Sequence, residues 1–440
     1  MALKAEQDVL AADTALARAH ALAPADPLAA FLHAQSHFEL GYPAADLFAA
    51  ACAMWPDNPD VLRNHALALA AEGEADAGIA LLATATAARP DWLDGQRVLA
   101  SLRWTHGKPD PFAGHAAAAR AHPRDRRLWQ AWFSALAQQR DWDAARAVVA
   151  EARAAIGDPD ALLAAETFVA CESGDAVAAR ALLARTAASD DPGLRLCRLR
   201  FALREGAPDR ARDEGLALLG TPAAAQAWPY LSLAWRLLGD ARAAWLDGAP
   251  PHVGVYEVDL SPAEVAALAD KLRALHVARA PYGEQSVRGG TQTDRSLLLR
   301  HEPILQRARV ALMAAVERHV AALPPPDPRH PLLGRPRARL RIAGSWSVRL
   351  TGGGHNVAHT HPMGWLSSAF YVALPPPAHG DAGHLALGAP PPELGLDVAP
   401  YRTVAPAVAR LVLFPSTMWH ATVPFAAGER LNIAFDVVPG

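Results

Sequence analysis

The sequence predicts a multidomain protein in which an all-α array of helical repeats precedes a β-rich domain with flanking helices. The first observation is that residues 1–247 are rich in Ala, Leu and Arg and are interrupted at regular intervals by proline and glycine. The second is that β-branched and aromatic residues alternate with polar ones after residue 253, between short Pro- and Gly-rich segments. The predicted domains are therefore residues 1–247 and residues 253–440.

Two series of helix-breaking residues set the period of the N-terminal domain. The steps within each series lie within about three residues of 33 to 34, the period of a helix-turn-helix repeat. Proline suits the first turn of a helix, and glycine suits the left-handed residue that ends one. We therefore place the prolines between repeats and the glycines between the two helices of each repeat. The two series are Pro24, Pro56, Pro90, Pro123, Pro159, Pro192, Pro222 and Gly41, Gly73, Gly107, Asp141, Gly174, Gly206, Gly239.

This punctuation resembles that of the tetratricopeptide repeat family, with six or seven repeats in more than half of the chain. Arrays of this kind form a solenoid whose concave face commonly binds a polypeptide. The resemblance implies that the N-terminal domain recruits a protein or peptide. The alternative is that the array only stabilises its neighbour or holds the chain in a homo-oligomer.

The amino-acid composition indicates which classes of partner the chain could bind and in which cellular compartment it is expected. A formal net charge of −3 provides no electrostatic attraction for nucleic acid or for an anionic membrane, so neither partner is expected. Cys52, Cys171 and Cys197 lie far apart and form no CxxC pair, which predicts buried thiols in a reducing compartment. The first residues lack the pattern of a signal peptide, and no stretch reaches 18 uncharged apolar residues. A cytoplasmic location is therefore expected.

The second domain begins with a predicted strand near Val253–Leu260 and a predicted helix near Pro262–His276. A polar glycine-rich loop, "VRGGTQTDR", is predicted next, followed by a helix near Glu302–Leu323. Short strands separated by Pro/Gly turns, a pattern typical of a sandwich or barrel, complete the domain. They are predicted at Arg339–Leu350, Trp365–Leu374, Ala409–Phe414 and Arg430–Val438.

A histidine cluster is the strongest chemical signal in the chain. The segment "TGGGHNVAHTHPMGW" holds His355, His359 and His361 within seven positions. A helical zinc-protease motif would need glutamate after the first histidine, where Asn356 stands, and the glycine run also argues against a helix. On an extended chain, side chains two residues apart point the same way. His359 and His361 are therefore predicted to form a pair of metal ligands.

A second chemical signal lies in "LVLFPSTMWHATVPFAAGERLNIAFDVV", where Arg430 follows His420 by ten residues. In the last predicted strand, Arg430 and Asn432 lie on one face, opposite an apolar face. A guanidinium inside a barrel needs an anionic partner, because an unpaired buried charge is very costly. A carboxylate matches the planar fork of the guanidinium.

Together these segments resemble the 2-oxoglutarate/Fe(II) oxygenases over about residues 253–440. In that superfamily a double-stranded β-helix, or jelly roll, presents H-x-D/E, a distal histidine, and about ten residues later a basic residue that binds 2-oxoglutarate. The matching phrases are "RGGTQT", "SWSVRL", "HTHPMGWLSSAFYV", "LVLFPSTMWH" and "GERLNIAFDVV".

Carried over residue by residue, the resemblance implies a metal bound by His359, His361 and His420. The chain departs from the family at His361, where Asp or Glu is usual. Either three imidazoles bind the iron, or His361 only supports a site of two protein ligands. The implied co-substrate contacts are Arg430, Asn432, His355 and Tyr371, with His355 as an alternative metal ligand.

The resemblance implies an Fe(II)- and 2-oxoglutarate-dependent dioxygenase that uses O2 as co-substrate. Fusion to the repeat array suggests that it hydroxylates a side chain of a recruited protein or peptide. Two alternatives belong to other classes. One is a non-catalytic repeat scaffold with a degenerate β-domain, and the other is a cupin-type oxygenase that uses three histidines without 2-oxoglutarate.

Overall fold

The computed structural model describes residues 7–281, 283, 285–376 and 380–440. By contacts within the chain it divides into two compact units. The first contains the described residues of Met1–Leu162, Val277–Glu284 and Asp294–Arg307, and the second those of Leu163–His276, Gln285–Thr293 and Ala308–Gly440. The domain boundary at residues 247–253 stays a prediction.

Fourteen α-helices occupy the described residues between 7 and 240, joined by short turns. They are α1 (Val9–Leu22), α2 (Pro27–Glu39), α3 (Ala45–Met54), α4 (Pro59–Ala71), α5 (Ala75–Ala88), α6 (Leu93–Thr105), α7 (Ala113–Ala121), α8 (Arg126–Gln138), α9 (Trp142–Ile156), α10 (Leu163–Glu172), α11 (Ala176–Arg185), α12 (Pro192–Arg204), α13 (Pro208–Leu218) and α14 (Ala224–Leu237).

The glycine series takes the conformation that the sequence predicted. Its members have φ angles between 65° and 96°, the left-handed region in which glycine ends a helix without a side-chain penalty. At the step without glycine, Arg140 is the left-handed residue (φ 57°), and Asp141 caps α9 with its side chain. The glycines with these angles are Gly41, Gly73, Gly107, Gly174, Gly206 and Gly239.

The proline series lies between repeats as predicted, but its local role differs from the prediction. Pro192 is the first residue of α12, whereas Pro24, Pro56 and Pro123 lie in the turn before a helix. For Pro24, Pro56 and Pro123 the reason is that Asp or Asn follows two residues later. That residue accepts a hydrogen bond from the first turn of the helix and so sets its start.

The remaining part of the chain holds two α-helices, α15 (Pro262–Leu275) and α16 (Pro303–Ala322), with nine strands in the described residues. One antiparallel sheet has the strand order β1-β7-β4-β9-β3-β2, and the other has the order β6-β5-β8. The strands are β1 (Gly254–Glu257), β2 (Val287–Gln292), β3 (Leu340–Asn356), β4 (Leu366–Ala373), β5 (Leu385–Leu387), β6 (Arg402–Val404), β7 (Arg410–Pro415), β8 (His420–Thr422) and β9 (Arg430–Pro439).

These elements confirm the predicted fold class, an all-α repeat array followed by a β-sandwich domain with flanking helices. The prediction of a loop at "VRGGTQTDR" was wrong, because Val287–Gln292 forms edge strand β2 and pairs with β3. A bulge lies between Arg288 and Gly290, where Gly289 has φ 66° and lies against the main chain of Gly354. Its glycines therefore mark a bulged strand rather than a loop.

The alternation along β9 separates a packed face from a polar one. Leu431, Ile433, Phe435 and Val437 are fully buried, as the sequence predicted. The other face carries Arg430, Asn432 and Asp436 and contributes to the site. Among the described residues, no helix combines the length and hydropathy needed to cross a bilayer.

Candidate metal centre

Main-chain pairing brings His359 and His420 together. His359 lies in the extended segment after β3, and His420 is the first residue of β8. The two residues form an antiparallel bridge, in which each main-chain N–H donates to the other carbonyl at 3.1 and 3.0 Å. The main-chain N–H of His361 donates to Ser416 O at 2.8 Å, at the end of β7. The three histidines are thus fixed by their backbones.

The imidazoles of His359, His361 and His420 converge as predicted. One ring nitrogen from each lies within 4.8 Å of the ring nitrogens of the other two. The ring centroids of His359 and His420 are 4.1 Å apart, and His361 lies 5.0 Å from each of them. This arrangement is compatible with three ligands to a single cation.

Hydrogen bonds fix which ring nitrogen is available on each histidine. His359 Nδ1 lies 2.8 Å from Val357 O, and His420 Nδ1 lies 3.1 Å from Met418 O. His361 Nδ1 lies 2.8 Å from both carboxylate oxygens of Asp436. Because these partners only accept, each Nδ1 carries the proton and donates it. In the neutral form of each ring, Nε2 then keeps its lone pair, which is the state in which imidazole binds a metal.

Asp436 is a site residue that the sequence analysis missed. It lies on β9 six residues after Arg430, on the same face, and that spacing was the signal that could have identified it. Ser367 Oγ donates to Asp436 Oδ1 at 2.6 Å, so the carboxylate is itself held in place. Carboxylates that orient a ligating histidine in this way raise the basicity of the ligand.

Burial keeps two of the imidazoles uncharged. Desolvation lowers the pKa of His359 to about 3, and it lowers the pKa of His420 well below its ordinary value. Both rings are consequently neutral at physiological pH. A cation can then bind them without first displacing protons.

Arg430 of β9 and Tyr371 of β4 form a second polar region, in the six-stranded sheet. Their side chains are 2% and 0% exposed, and the guanidinium carbon lies 5.1 Å from the centroid of the tyrosine ring. A terminal nitrogen of Arg430 donates to Thr422 Oγ1. Arg430 Nε and the Tyr371 hydroxyl are buried without a hydrogen-bond partner among the described residues. Asn432, also buried, pairs with Tyr371 across the β4–β9 ladder.

These orphaned groups are those that a carboxylate ligand would satisfy. A buried donor without an acceptor costs about 1–3 kcal/mol, and more when it is charged. The residues therefore fit an anionic group bound at Arg430 and a metal bound at the histidines.

The structure places His355 beside edge strand β2 rather than with the other three histidines. The His355 ring lies against its own main chain, with Nδ1 3.2 Å from Gly353 O, and the residue pairs with Arg288 in the β2–β3 ladder. None of its contacts among the described residues involves the other three histidines. Ser286, just before β2, was also missed, and its Oγ lies 3.2 Å from His359 Nε2.

Helices of the array contact the loop that precedes His420. Trp419 Nε1 donates to Pro229 O at 3.0 Å, and the Trp419 ring packs edge-on against Tyr230 at 5.3 Å. Trp419 belongs to one apolar cluster with Leu203 of α12 and Leu233 of α14. The second unit therefore joins the last helices of the array to the residues that carry the site.

One known family matches the part of the chain that contains the candidate metal centre. Residues 344–436 match the model of a family described as "Putative 2OG-Fe(II) oxygenase". This segment resembles that family. The match includes His359, His361, His420 and Arg430 and confirms the resemblance stated from the sequence. No curated protein matches the chain.

Solved structures similar to parts of the chain include a hydroxylase and a tetratricopeptide repeat protein. A prolyl-4-hydroxylase from Pseudomonas putida is 18% identical over 44% of this chain and 95% of its own, with a TM-score of 0.29. HygX from Streptomyces hygroscopicus, solved with nickel, 2-oxoglutarate and hygromycin B, is 13% identical over 45% and 85%, with a TM-score of 0.32. A tetratricopeptide repeat protein from Parabacteroides merdae is 15% identical over 53% and 94%, with a TM-score of 0.32.

Proposed function

We propose that the chain is an Fe(II)- and 2-oxoglutarate-dependent dioxygenase that hydroxylates a side chain of a protein or peptide recruited by the repeats. One observation carries the proposal. Three imidazoles, with one ring nitrogen of each within 4.8 Å of the other two, lie in the same β-sandwich as a buried guanidinium that has no acidic partner among the described residues. The family match over residues 344–436 supports the same reaction class.

His359, His361 and His420 would hold the iron. Imidazole suits Fe(II), and a neutral ligand set leaves the centre with more positive charge than the usual histidine–carboxylate set. Asp436 offsets part of that charge by accepting from His361 Nδ1. When bound, Fe(II) with 2-oxoglutarate and O2 supplies the oxidising chemistry, which converts the co-substrate to succinate and CO2 and a substrate C–H bond to C–OH.

Arg430 would bind the far carboxylate of 2-oxoglutarate, with Tyr371 donating a hydrogen bond to it. Thr422 holds the guanidinium in position, and Asn432 lies beside Tyr371 in the sheet. The apolar side chains of Val412 and Phe414 pack with Tyr371 and exclude water. A charged hydrogen bond in such a dry environment is stronger than it would be in water.

The proposal of a polypeptide substrate rests on the position of the last helices. The main chain of α14 accepts a hydrogen bond from Trp419, the residue before the metal ligand His420. A polypeptide bound along α12 and α14 would therefore lie next to the loop that carries a ligand. The alternative role of these helices is to hold that loop rigid, and it requires no recruited chain.

The test of the reaction class is turnover of 2-oxoglutarate by the anaerobically purified chain, supplied with Fe(II) and then with O2. We expect succinate from the wild-type chain and none from His420→Ala. A matched control, His122→Ala, removes an exposed histidine of the array and should retain full turnover. Iron binding without succinate would favour the cupin-type alternative, and no iron binding would favour the scaffold.

The test of the substrate class uses polypeptides that the His420→Ala variant binds. Incubation of these polypeptides with the wild-type chain, Fe(II), 2-oxoglutarate and O2 should add one oxygen atom to a side chain, measured by mass spectrometry. Binding without added oxygen, together with succinate formation that polypeptide does not stimulate, would restrict the array to a structural role.

A further inference from the structure

A second cluster of potential metal ligands lies far along the sequence from the first, in the opening repeat. Asp13 of α1 and His33 and His37 of α2 each present a ligand atom within 4.8 Å of the other two. His37 Nδ1 lies 3.3 Å from Asp13 Oδ2. His33 and His37 are four residues apart on one helix, so they share a face. Their arrangement is a two-histidine, one-carboxylate set that spans two neighbouring helices.

Polar atoms in this cluster lack partners. Asp13 Oδ1 and His33 Nδ1 are buried and make no hydrogen bond in the part of the chain that the structure describes. The same holds for Nδ1 of His20, whose ring lies 5.9 Å from that of His33. His20 follows Asp13 by seven residues, so it lies on the same side of α1. Three orphaned ligand atoms at one helix–helix contact would be costly unless a further group satisfies them.

The repeat architecture does not require these histidines. Helices α2, α4 and α12 each begin with proline, at Pro27, Pro59 and Pro192, which aligns them without gaps. Where α2 has His33 and His37, α4 has His65 and Leu69, and α12 has Arg198 and Ala202. The histidine pair is therefore specific to the opening repeat, among these three helices.

Aromatic stacking fixes the orientation of one ligand. The His37 ring stacks on Tyr42 with centroids 4.5 Å apart, and Tyr42 stacks in turn on His301 at 3.7 Å. His301 is anchored by its main-chain N–H, which donates to Leu40 O at 2.9 Å. A ligand held in place before the metal arrives loses little conformational entropy on binding.

We propose that Asp13, His33 and His37 bind one divalent transition-metal ion, with His20 available as a fourth ligand. Imidazole and carboxylate together suit Zn²⁺ and its first-row neighbours rather than Mg²⁺ or Ca²⁺. The ion would join α1 to α2 and stabilise the first repeat, because it binds only the folded arrangement. This site shares no residue with the oxygenase site.

The test is a Zn²⁺ titration of the full-length chain in the His359→Ala/His420→Ala background, which removes two ligands of the other cluster. We expect one ion per chain, with an affinity at least tenfold weaker after His33→Gln or Asp13→Asn. A matched control, His122→Gln, should bind as the background does. Circular dichroism of each variant checks that the helices remain folded.

A second measurement keeps the proposal testable if that background fails to fold. Metal content of the otherwise wild-type chain, after saturation with Zn²⁺ and removal of excess, should fall by one ion per chain in His33→Gln. Co²⁺ in place of Zn²⁺ should give a visible spectrum that changes in the same variant. Equal metal content in the wild-type chain, His33→Gln and Asp13→Asn would overturn the proposal.

Discussion

The two polar regions of the β-sandwich differ in how their hydrogen bonds are satisfied. At His359, His361 and His420, every Nδ1 has an oxygen partner, and Nε2 of His359 lies 3.2 Å from Ser286 Oγ. At Arg430 and Tyr371, by contrast, polar atoms are buried with no partner among the described residues. The first region is therefore preorganised for a cation. The second region destabilises the folded chain until an anion binds and accepts its hydrogen bonds.

This difference predicts which substitutions should change the stability of the folded chain and which should change only its affinity for a ligand. A satisfied ligand set costs the folded chain little, so the loss of one histidine should mainly remove metal binding. An unpaired buried guanidinium destabilises the fold, so its replacement should remove co-substrate binding without a loss of stability.

The largest effect is expected for Arg430→Met. Removal of the buried charge that faces a carboxylate should weaken 2-oxoglutarate binding by roughly 100-fold or more. The ligand-free variant should be at least as stable as the wild-type chain, because the unpaired Nε is gone. Calorimetry and denaturant unfolding measure the two effects. Arg410→Met, which breaks a surface ion pair with Glu257, is the control and should change neither result.

Outside the site, Oδ1 of the buried Asp247 has no hydrogen-bond partner among the described residues. Burial raises the pKa of its carboxyl to about 6, from an ordinary value of 3.8. The protonated form is therefore favoured in the folded chain, and its stabilising contribution is lost as the pH rises through 6. Asp247→Asn should raise the free energy of unfolding by on the order of 3 kcal/mol at pH 8 and by almost nothing at pH 3.5. An equal gain at both pH values would contradict this assignment.

An intermediate effect is expected for Asp436→Ala, which removes the acceptor of His361 Nδ1. Loss of a carboxylate that orients a ligating histidine costs about 10- to 100-fold in metal affinity. Asp381→Ala removes an exposed carboxylate near His384 and is the matched control. Unchanged Fe(II) affinity in Asp436→Ala, measured by anaerobic titration, would favour the arrangement in which His361 is no ligand.

The smallest effect is expected for Tyr371→Phe. Loss of one hydrogen bond to the co-substrate should weaken 2-oxoglutarate binding about fivefold, or about 1 kcal/mol. Stability should not fall, because the hydroxyl has no partner within the described chain. Tyr256→Phe is the contrasting variant, since the Tyr256 hydroxyl lies 3.1 Å from His319 Nδ1. It should lower stability and leave co-substrate binding unchanged.

Features that depend on residues close together in the sequence could be predicted more readily than features that depend on distant residues. The repeat period was readable because each glycine of the series ends its helix through local backbone geometry. His359 and His361 were predicted as a pair from their two-residue spacing on an extended chain, whereas His420 was assigned from the family resemblance. Strand β9 was predicted because its two faces alternate strictly. Strand β2 was missed because its glycines resemble a loop, although they form a bulge against β3.

The supporting groups were harder to predict because they depend on distant pairing. Asp436 meets His361 only through the β4–β9 register, 75 residues apart in sequence. Ser286 reaches His359 over 73 residues, and the contact of Trp419 with Pro229 spans 190. Without a structure, such contacts cannot be distinguished from many other combinations of the same residue types.

The central claim is that the three histidines and Arg430 form one site in which a cation and a dicarboxylate bind together. The most direct test is calorimetric titration of 2-oxoglutarate, under anaerobic conditions, into the wild-type chain with and without Fe(II). We predict tight binding only in the presence of Fe(II), loss of that dependence in His420→Ala, and an affinity reduced at least 100-fold in Arg430→Met. A 2-oxoglutarate affinity that is the same with and without Fe(II) would contradict the claim and assign the histidines and Arg430 to two unrelated sites.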